Sequence, residues 1–213
     1  MYVKDKMSKS LCTVKPNTTI SEVLDIMEAN HYHRIPVVDD NNHLLGLLTA
    51  GNIKQSNANS SLSVFELNYL LNKLMASDVM IKDVVTVNPD ALLEEAASIL
   101  REHEIGCLPV IENNILVGII TQNDIFDSFI DILGYNEVGT RYVINIKEDK
   151  VGIMYKIAEC FVQANISISN LAVYNTERGL EIVVIAVGDN SEYCGDYLKN
   201  AGWDVTSIMN LNK

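Results

Sequence analysis

The sequence predicts an α+β chain in two parts: a tandem pair of β-α-β-β-α repeats, then a single β-α-β-β-α-β unit. Three observations carry this reading. A set of short landmarks recurs at a constant interval in the first part of the chain. Strand-like runs alternate with amphipathic helical stretches within each copy. After about residue 139 the texture changes and no third copy follows.

The repeat sets the frame. Val3-Lys-Asp-Lys-Met7 returns as Ala76-Ser-Asp-Val-Met80, Cys12-Thr-Val-Lys-Pro16 as Val85-Thr-Val-Asn-Pro89, and Ile35-Pro-Val-Val38 as Leu108-Pro-Val-Ile111, all 73 positions apart. One residue is then lost, so that Gly46-Leu-Leu-Thr-Ala-Gly-Asn52 pairs with Gly118-Ile-Ile-Thr-Gln-Asn-Asp124 at 72. In each copy an extended piece ends at the Pro. A helix follows, with apolar residues at i, i+3, i+4 and i+7: Ile20, Val23, Leu24 and Met27, then Leu93, Ala96, Ala97 and Leu100. Asn17 to Thr19 and Asp90 are the candidate N-caps. Strands Arg34–Val38 and Cys107–Ile111 come next, then Asn-rich turns, then strands Leu44–Thr49 and Ile115–Thr121, each feeding a closing helix. One such unit leaves an apolar sheet face open, so the two copies should pack together. Between them, Gln55 to Ser63 reads as a polar loop and Val64 to Met75 as helix-compatible. The expected boundaries are 1–60 and 76–134 for the copies, 61–75 for the connecting helix and 139–213 for the last domain.

In that last domain, Arg141–Lys147 alternates as a strand, and Ile153, Ile157, Phe161 and Ala164 line one face of a helix. Asn165 is a tolerable left-handed helix end. Strands over Ile166–Tyr174 and Leu180–Val187 flank a hairpin-sized connection at Asn175–Gly179. A helix over Ser191–Ala201 and a strand over Trp203–Met209 complete the split order of a ferredoxin-like unit.

Composition narrows the function. The chain has 213 residues and a formal net charge of −12. Ten of those negative charges fall in residues 1–138, which hold nine basic and 19 acidic side chains. Binding to a nucleic-acid backbone is therefore not expected. The N-terminus has no signal-peptide core, no apolar run approaches a membrane span, and a cytoplasmic location is expected. Cys12, Cys107, Cys160 and Cys194 have no short metal spacing; Cys12 and Cys107 read as buried thiols. His31, His33, His43 and His103 have no ligand-spaced carboxylate or thiol, so no metal is expected. The chain carries no G-x-x-x-x-G-K-[ST], H-E-x-x-H or G-x-S-x-G stretch, and no enzymatic step is expected.

The chemistry-bearing motif is the duplicated G-x-x-T-x-x-D/N. Thr121 and Asp124, at a strand end and first helical turn, place a hydroxyl and a carboxylate over one spot, an arrangement suited to a vicinal diol. The same residues are also ordinary helix N-caps. Gly118 lets a backbone or a flat ligand approach. Asn52 stands where copy two has Asp124, removing an ionic acceptor.

With its Asp-x-Met, Thr-Val-x-Pro, Pro-Val-Val and G-x-x-T-x-x-D/N stretches, twice and in order, the first 134 residues resemble a tandem CBS-domain pair, or Bateman module. The resemblance implies a regulatory sensor that holds AMP, ADP, ATP or S-adenosylmethionine between the repeats. It implies ribose contacts from Thr121 and Asp124 and an adenine lining from Met80, Val85, Gly106 and Cys107. The copy-one counterparts are Thr49, Asn52, Met7, Cys12, His33 and Arg34. The His33-Arg34-Ile-Pro stretch is similar to the phosphate-contacting segment in the gamma subunit of AMP-activated kinase. Because copy two has Gly106-Cys107 where copy one has His33-Arg34, a single occupied site is expected, with the phosphate on Arg34.

Residues 140–213 resemble an ACT domain through element order, the Asp149-Lys-Val-Gly152 loop and the helix exit into Asn165-Ile-Ser-Ile168. That resemblance implies amino-acid contacts from Asp149, Gly152 and Ser167, or a dimerisation role alone. A CBS pair followed by an ACT domain resembles the AcuB-type acetoin utilisation family. Both resemblances imply a homodimer. The alternative is a constitutive dimeric scaffold that takes no metabolite.

Overall fold

The computed structural model describes residues 1–57, 64–177, 179–188 and 191–211. The chain divides into two compact units, Met1–Ile125 and Phe126–Lys213. The last part of the connection read as a loop, residues 58–63, and Arg178 of the second-unit hairpin lie outside the described residues.

In the first unit each copy opens with a four-residue helix: α1 (Val3–Lys6) and α5 (Ala76–Val79). The aspartate of each Asp-x-Met stretch explains its presence. Asp5 accepts from the Tyr2 backbone N–H at 2.9 Å, and Asp78 from that of Met75 at 2.9 Å, so each carboxylate closes the first turn of its helix. The amphipathic helices follow as α2 (Ile20–Asn30) and α6 (Leu93–Glu102). Thr19 caps α2 in a reciprocal box with Glu22. Asp90 is not the cap of α6, contrary to the sequence reading. The position equivalent to Thr19 is Leu92, whose side chain has no hydrogen-bond acceptor. Asp90 takes the Lys4 ammonium at 2.7 Å instead.

Each copy then forms an antiparallel hairpin: β1 (Arg34–Val38) with β2 (Leu44–Thr49), and β3 (Cys107–Glu112) with β4 (Ile115–Thr121). The extended pieces before the prolines add to their own hairpins as parallel bridges, at Val14–Val37 and Val87–Val110. The closing helices are α3 (Ala50–Asn57) and α7 (Gln122–Ile132), and α4 (Val64–Leu71) lies in the connection. Residues 55–57 thus finish α3 and are not loop.

The two copies are joined by an exchange that pattern reading did not show. Val3 of copy one is fully buried in the core of copy two, beside Leu93, Leu108 and Ile120. Ala76 of copy two is fully buried in the core of copy one, beside Ile20, Ile35 and Leu48. Backbone bonds follow suit. Ser8 and Ile119 exchange a pair at 2.9 and 3.1 Å, and Ile81 and Leu47 exchange the equivalent pair at 2.9 Å each. Each leading segment therefore completes the sheet of the other copy.

The second unit has the expected order: β5 (Thr140–Ile146), α8 (Ile153–Gln163), β6 (Ser167–Thr176), β7 (Gly179–Val187), α9 (Ser191–Asn200) and β8 (Asp204–Asn210). Its strands form one antiparallel sheet in the order β6-β7-β5-β8. Inward residues Tyr142, Ile144, Ile182 and Val184 pack on Ile157, Phe161 and Leu198 of the helices. Tyr142 and Phe161 meet edge to face at 5.4 Å. Asn165 leaves α8 with φ 56°, as its place after the helix predicts.

Candidate functional site

The exchanged segments create two related cavities in the first unit. The larger, about 430 Å³, is lined at one end by Thr121, Gln122 and Asn123 and at the other by Ser8, Ser10, Leu11 and Cys12. The second, about 390 Å³, is lined by Thr49, Ala50 and Gly51 and by Ile81, Asp83, Val84 and Val85. Both lie within the ~300–1,000 Å³ of small-molecule sites. His33, Arg34 and Gly106 line both cavities and form the wall between them.

This corrects the grouping read from the sequence. Thr121 shares a cavity with Cys12 of the other copy, not with Val85, and Thr49 shares one with Val85 and Cys107, not with Cys12. The reason is the exchange itself: the strand that faces each G-x-x-T turn belongs to the opposite repeat. Cys12 is half-buried on the cavity wall, where the sequence suggested a buried thiol. Cys107 is buried, and burial pushes its thiol up to about 11, so it stays protonated at neutral pH.

Met7 and Met80 line neither cavity. A Cβ at Gly118 would collide with the Met7 sulfur, and one at Gly46 would lie 2.6 Å from the Met80 sulfur. The two glycines thus admit methionines of the exchanged segments, where a flat ligand was the other option. Gly106 has a similar role: the Arg34 guanidinium lies where its Cβ would be.

The Thr–Asp and Thr–Asn pairs form the same local structure. Asp124 Oδ2 accepts from the Thr121 N–H and hydroxyl, both at 2.7 Å, and the Asp124 N–H donates to Thr121 Oγ1 at 3.3 Å. Asn52 Oδ1 accepts from the Thr49 N–H at 2.6 Å and the Thr49 hydroxyl at 3.0 Å, while its Nδ2 donates to the Val79 carbonyl at 2.7 Å. The amide thus adds a tie to the exchanged helix α5. Each motif caps its closing helix and fixes its threonine at the cavity floor. Neither Asp124 nor Asn52 is among the described residues lining these two cavities.

Ser8, Ser10, Asp83, Gln122 and Asn123 were missed as lining residues. Spacing alone could have found Gln122 and Asn123, which sit inside the G-x-x-T-x-x-D stretch. In the second unit, Asp149 and Gly152 share the turn before α8, Gly152 with φ 91°, and Ser167 opens β6. Among the described residues no His/Cys/Asp/Glu group could hold a metal, and no helix is long and apolar enough to cross a membrane.

A duplicated α+β module with a cavity at each exchanged joint defines a class of paired-repeat protein. The family model described as the CBS domain matches residues 3–57 and 76–131, and the chain belongs to the CBS-domain family. Three solved structures illustrate the likeness. An acetoin utilization protein (AcuB) from Vibrio cholerae is 33% identical, with a TM-score of 0.56; the match covers 64% of this chain and 96% of that one. The CBS domain pair of protein MJ0100, solved with 5′-methylthioadenosine and S-adenosyl-L-methionine, is 27% identical, with a TM-score of 0.52, covering 61% and 95%. CBSX2, solved in complex with AMP, is 26% identical, with a TM-score of 0.53, covering 62% and 97%.

Proposed function

We propose that this chain is a regulatory sensor that binds an adenosine compound, AMP, ADP, ATP or S-adenosylmethionine, in the cleft of its CBS pair and catalyses no reaction. The observation that carries the reading is the pair of matched cavities, each with a threonine hydroxyl fixed at a helix start and an apolar wall for a base. The AMP and S-adenosylmethionine complexes of its structural neighbours support the same ligand class. Site residues in this reading are Thr121, Cys12, His33, Arg34 and Gly106 around one cavity, and Thr49, Val85 and Cys107 around the other. Asp124 and Asn52 hold the threonines. Binding switches the molecule only if the ligand prefers one arrangement of the copies.

Residues 139–213 then act as an ACT domain that pairs two chains, either alone or with an amino acid near Asp149, Gly152 and Ser167. In this reading the CBS pair and the ACT domain together make a chain of the AcuB type. The element order of the second unit and its open edge strands β6 and β8 support pairing. A second reading, a constitutive dimeric scaffold without a metabolite, draws on one observation: Asp124, Asn52, Met7 and Met80 all have structural employment without any ligand.

A thermal-shift series with adenine nucleotides, S-adenosylmethionine and amino acids separates the two. A ligand of the native state raises the melting temperature by mass action, by RT ln(1 + [L]/Kd) in free energy. A rise with an adenosine compound is the expected result; no rise with any of them, in an intact dimer, favours the scaffold.

A further inference from the structure

The two cavities are related by the repeat, so they can be compared position by position. Ser8 in the Thr121 cavity corresponds to Ile81 in the Thr49 cavity, and Tyr32 corresponds to Ile105. Gln122 and Asn123, at the helix start, correspond to Ala50 and Gly51. At each of these positions the Thr121 cavity has a hydrogen-bonding side chain and the Thr49 cavity does not. The sharpest difference is charge. Ser10 is on the wall of the Thr121 cavity, whose described lining has no carboxylate, Asp124 lying behind Thr121 and bonded to it; its counterpart Asp83 is on the wall of the Thr49 cavity. A single guanidinium, Arg34, stands between them, because copy two offers Cys107 at the matching position.

Resting on the nucleoside reading above, we propose that the cavities sort adenosine compounds by charge. The Thr121 cavity takes a phosphorylated adenosine, its phosphate on Arg34. The Thr49 cavity takes an adenosine compound without phosphate, neutral or bearing a sulfonium. The physics is a matter of paired and unpaired charge. A phosphate beside Arg34 and polar donors replaces the water it loses. A phosphate in the Thr49 cavity meets the Asp83 carboxylate and an apolar wall, and Arg34 is taken once the Thr121 cavity holds its own phosphate. A sulfonium or an uncharged 5′ group suffers neither penalty there, and Asp83 favours the cation. The protein would thus hold one phosphorylated ligand per chain and read a second, phosphate-free compound beside it.

Isothermal titration of the full-length protein with AMP and with adenosine tests this. Adenosine should fill two sites per chain and AMP one, and the AMP-saturated protein should still take one adenosine. Ser10→Asp, which puts a carboxylate into the Thr121 cavity, should weaken AMP about tenfold more than adenosine, the order expected of a like charge a few ångströms away at an interface with water. Circular dichroism of the variant checks that it is folded. Two equivalent AMP sites, or an AMP affinity indifferent to Ser10→Asp, overturn the sorting while leaving the nucleoside reading in place. Binding of neither compound overturns both.

Discussion

Gly46→Ala probes the joint between the copies. A methyl group at Gly46 would sit 2.6 Å from Met80 Sδ, 2.7 Å from Met80 Cγ and 2.8 Å from the Ile81 carbonyl oxygen. Relaxed contacts between carbon atoms lie near ~3.5–4.0 Å. The thioether can swing aside. The carbonyl cannot, because it accepts the Leu47 N–H at 2.9 Å while the Ile81 N–H donates to the Leu47 carbonyl at 2.9 Å. The methyl must therefore lever the exchanged segment off β2. Such overpacking costs about 1–3 kcal/mol, and the stiffer unfolded chain returns about 0.4–1 kcal/mol. A net loss of roughly 1–2 kcal/mol follows, or about 2–4 °C in Tm per kcal/mol for a chain of this size. Gly118→Ala should cost less: there the nearest backbone atom, the Ser8 oxygen, stands 3.2 Å off, and the Met7 side chain can yield. The assay is far-UV circular dichroism against urea, since the only tryptophan, Trp203, lies in the other unit. A Gly46→Ala protein as stable as wild type, or a Gly118→Ala protein less stable than Gly46→Ala, would refute the exchanged geometry.

Three further outcomes follow. Native protein at pH 8 should react with iodoacetamide at Cys12 first, because Cys107 and Cys194 are buried with thiols pushed up to about 11 and Cys160 is buried as well; AMP should slow the reaction, as peptide mass spectrometry would register. Gly106→Ala should move the Arg34 guanidinium off the partition, leaving the Tm nearly unchanged, since a long side chain gives way, but lowering AMP affinity several-fold in a titration. The His43 backbone N–H and ring hold the Asp39 carboxyl below its ordinary value of 3.8. Its contribution to stability is therefore complete at neutral pH and lost as the pH falls through the folded value. The difference in urea midpoint between wild type and Asp39→Asn should stand at pH 7 and close below pH 3.8.

Much of the fold was legible because the apolar spacing is strong and occurs twice. Ile20, Val23 and Met27, like Leu93, Ala96 and Leu100, are buried where the spacing put them. The left-handed residues Asn42, Asn114 and Asn165 fall at the turns and helix end their type predicts. The exchange was not legible. Val3 and Ala76 are equivalent small apolar residues, and either could bury itself in its own copy or the other with the same loss of exposed surface; chain connection and packing decide, and spacing carries neither. That ambiguity misassigned the cavity walls, pairing Thr121 with Val85 when it faces Cys12. The cap at Asp90 failed for a simpler reason: its residue type suits a cap, but its register lies two positions before Leu92, the N-cap of α6. The contrast between His33-Arg34 and Gly106-Cys107 was visible as sequence. That Arg34 serves both cavities was not, since it depends on the two turns meeting at one wall.

The most direct measurement is a crystal structure of the protein grown with AMP. The account predicts density for the nucleotide in the cavity between Thr121 and Cys12, with its phosphate at the Arg34 guanidinium. A cavity holding only solvent at saturating AMP, or a nucleotide seated elsewhere on the chain, would contradict it.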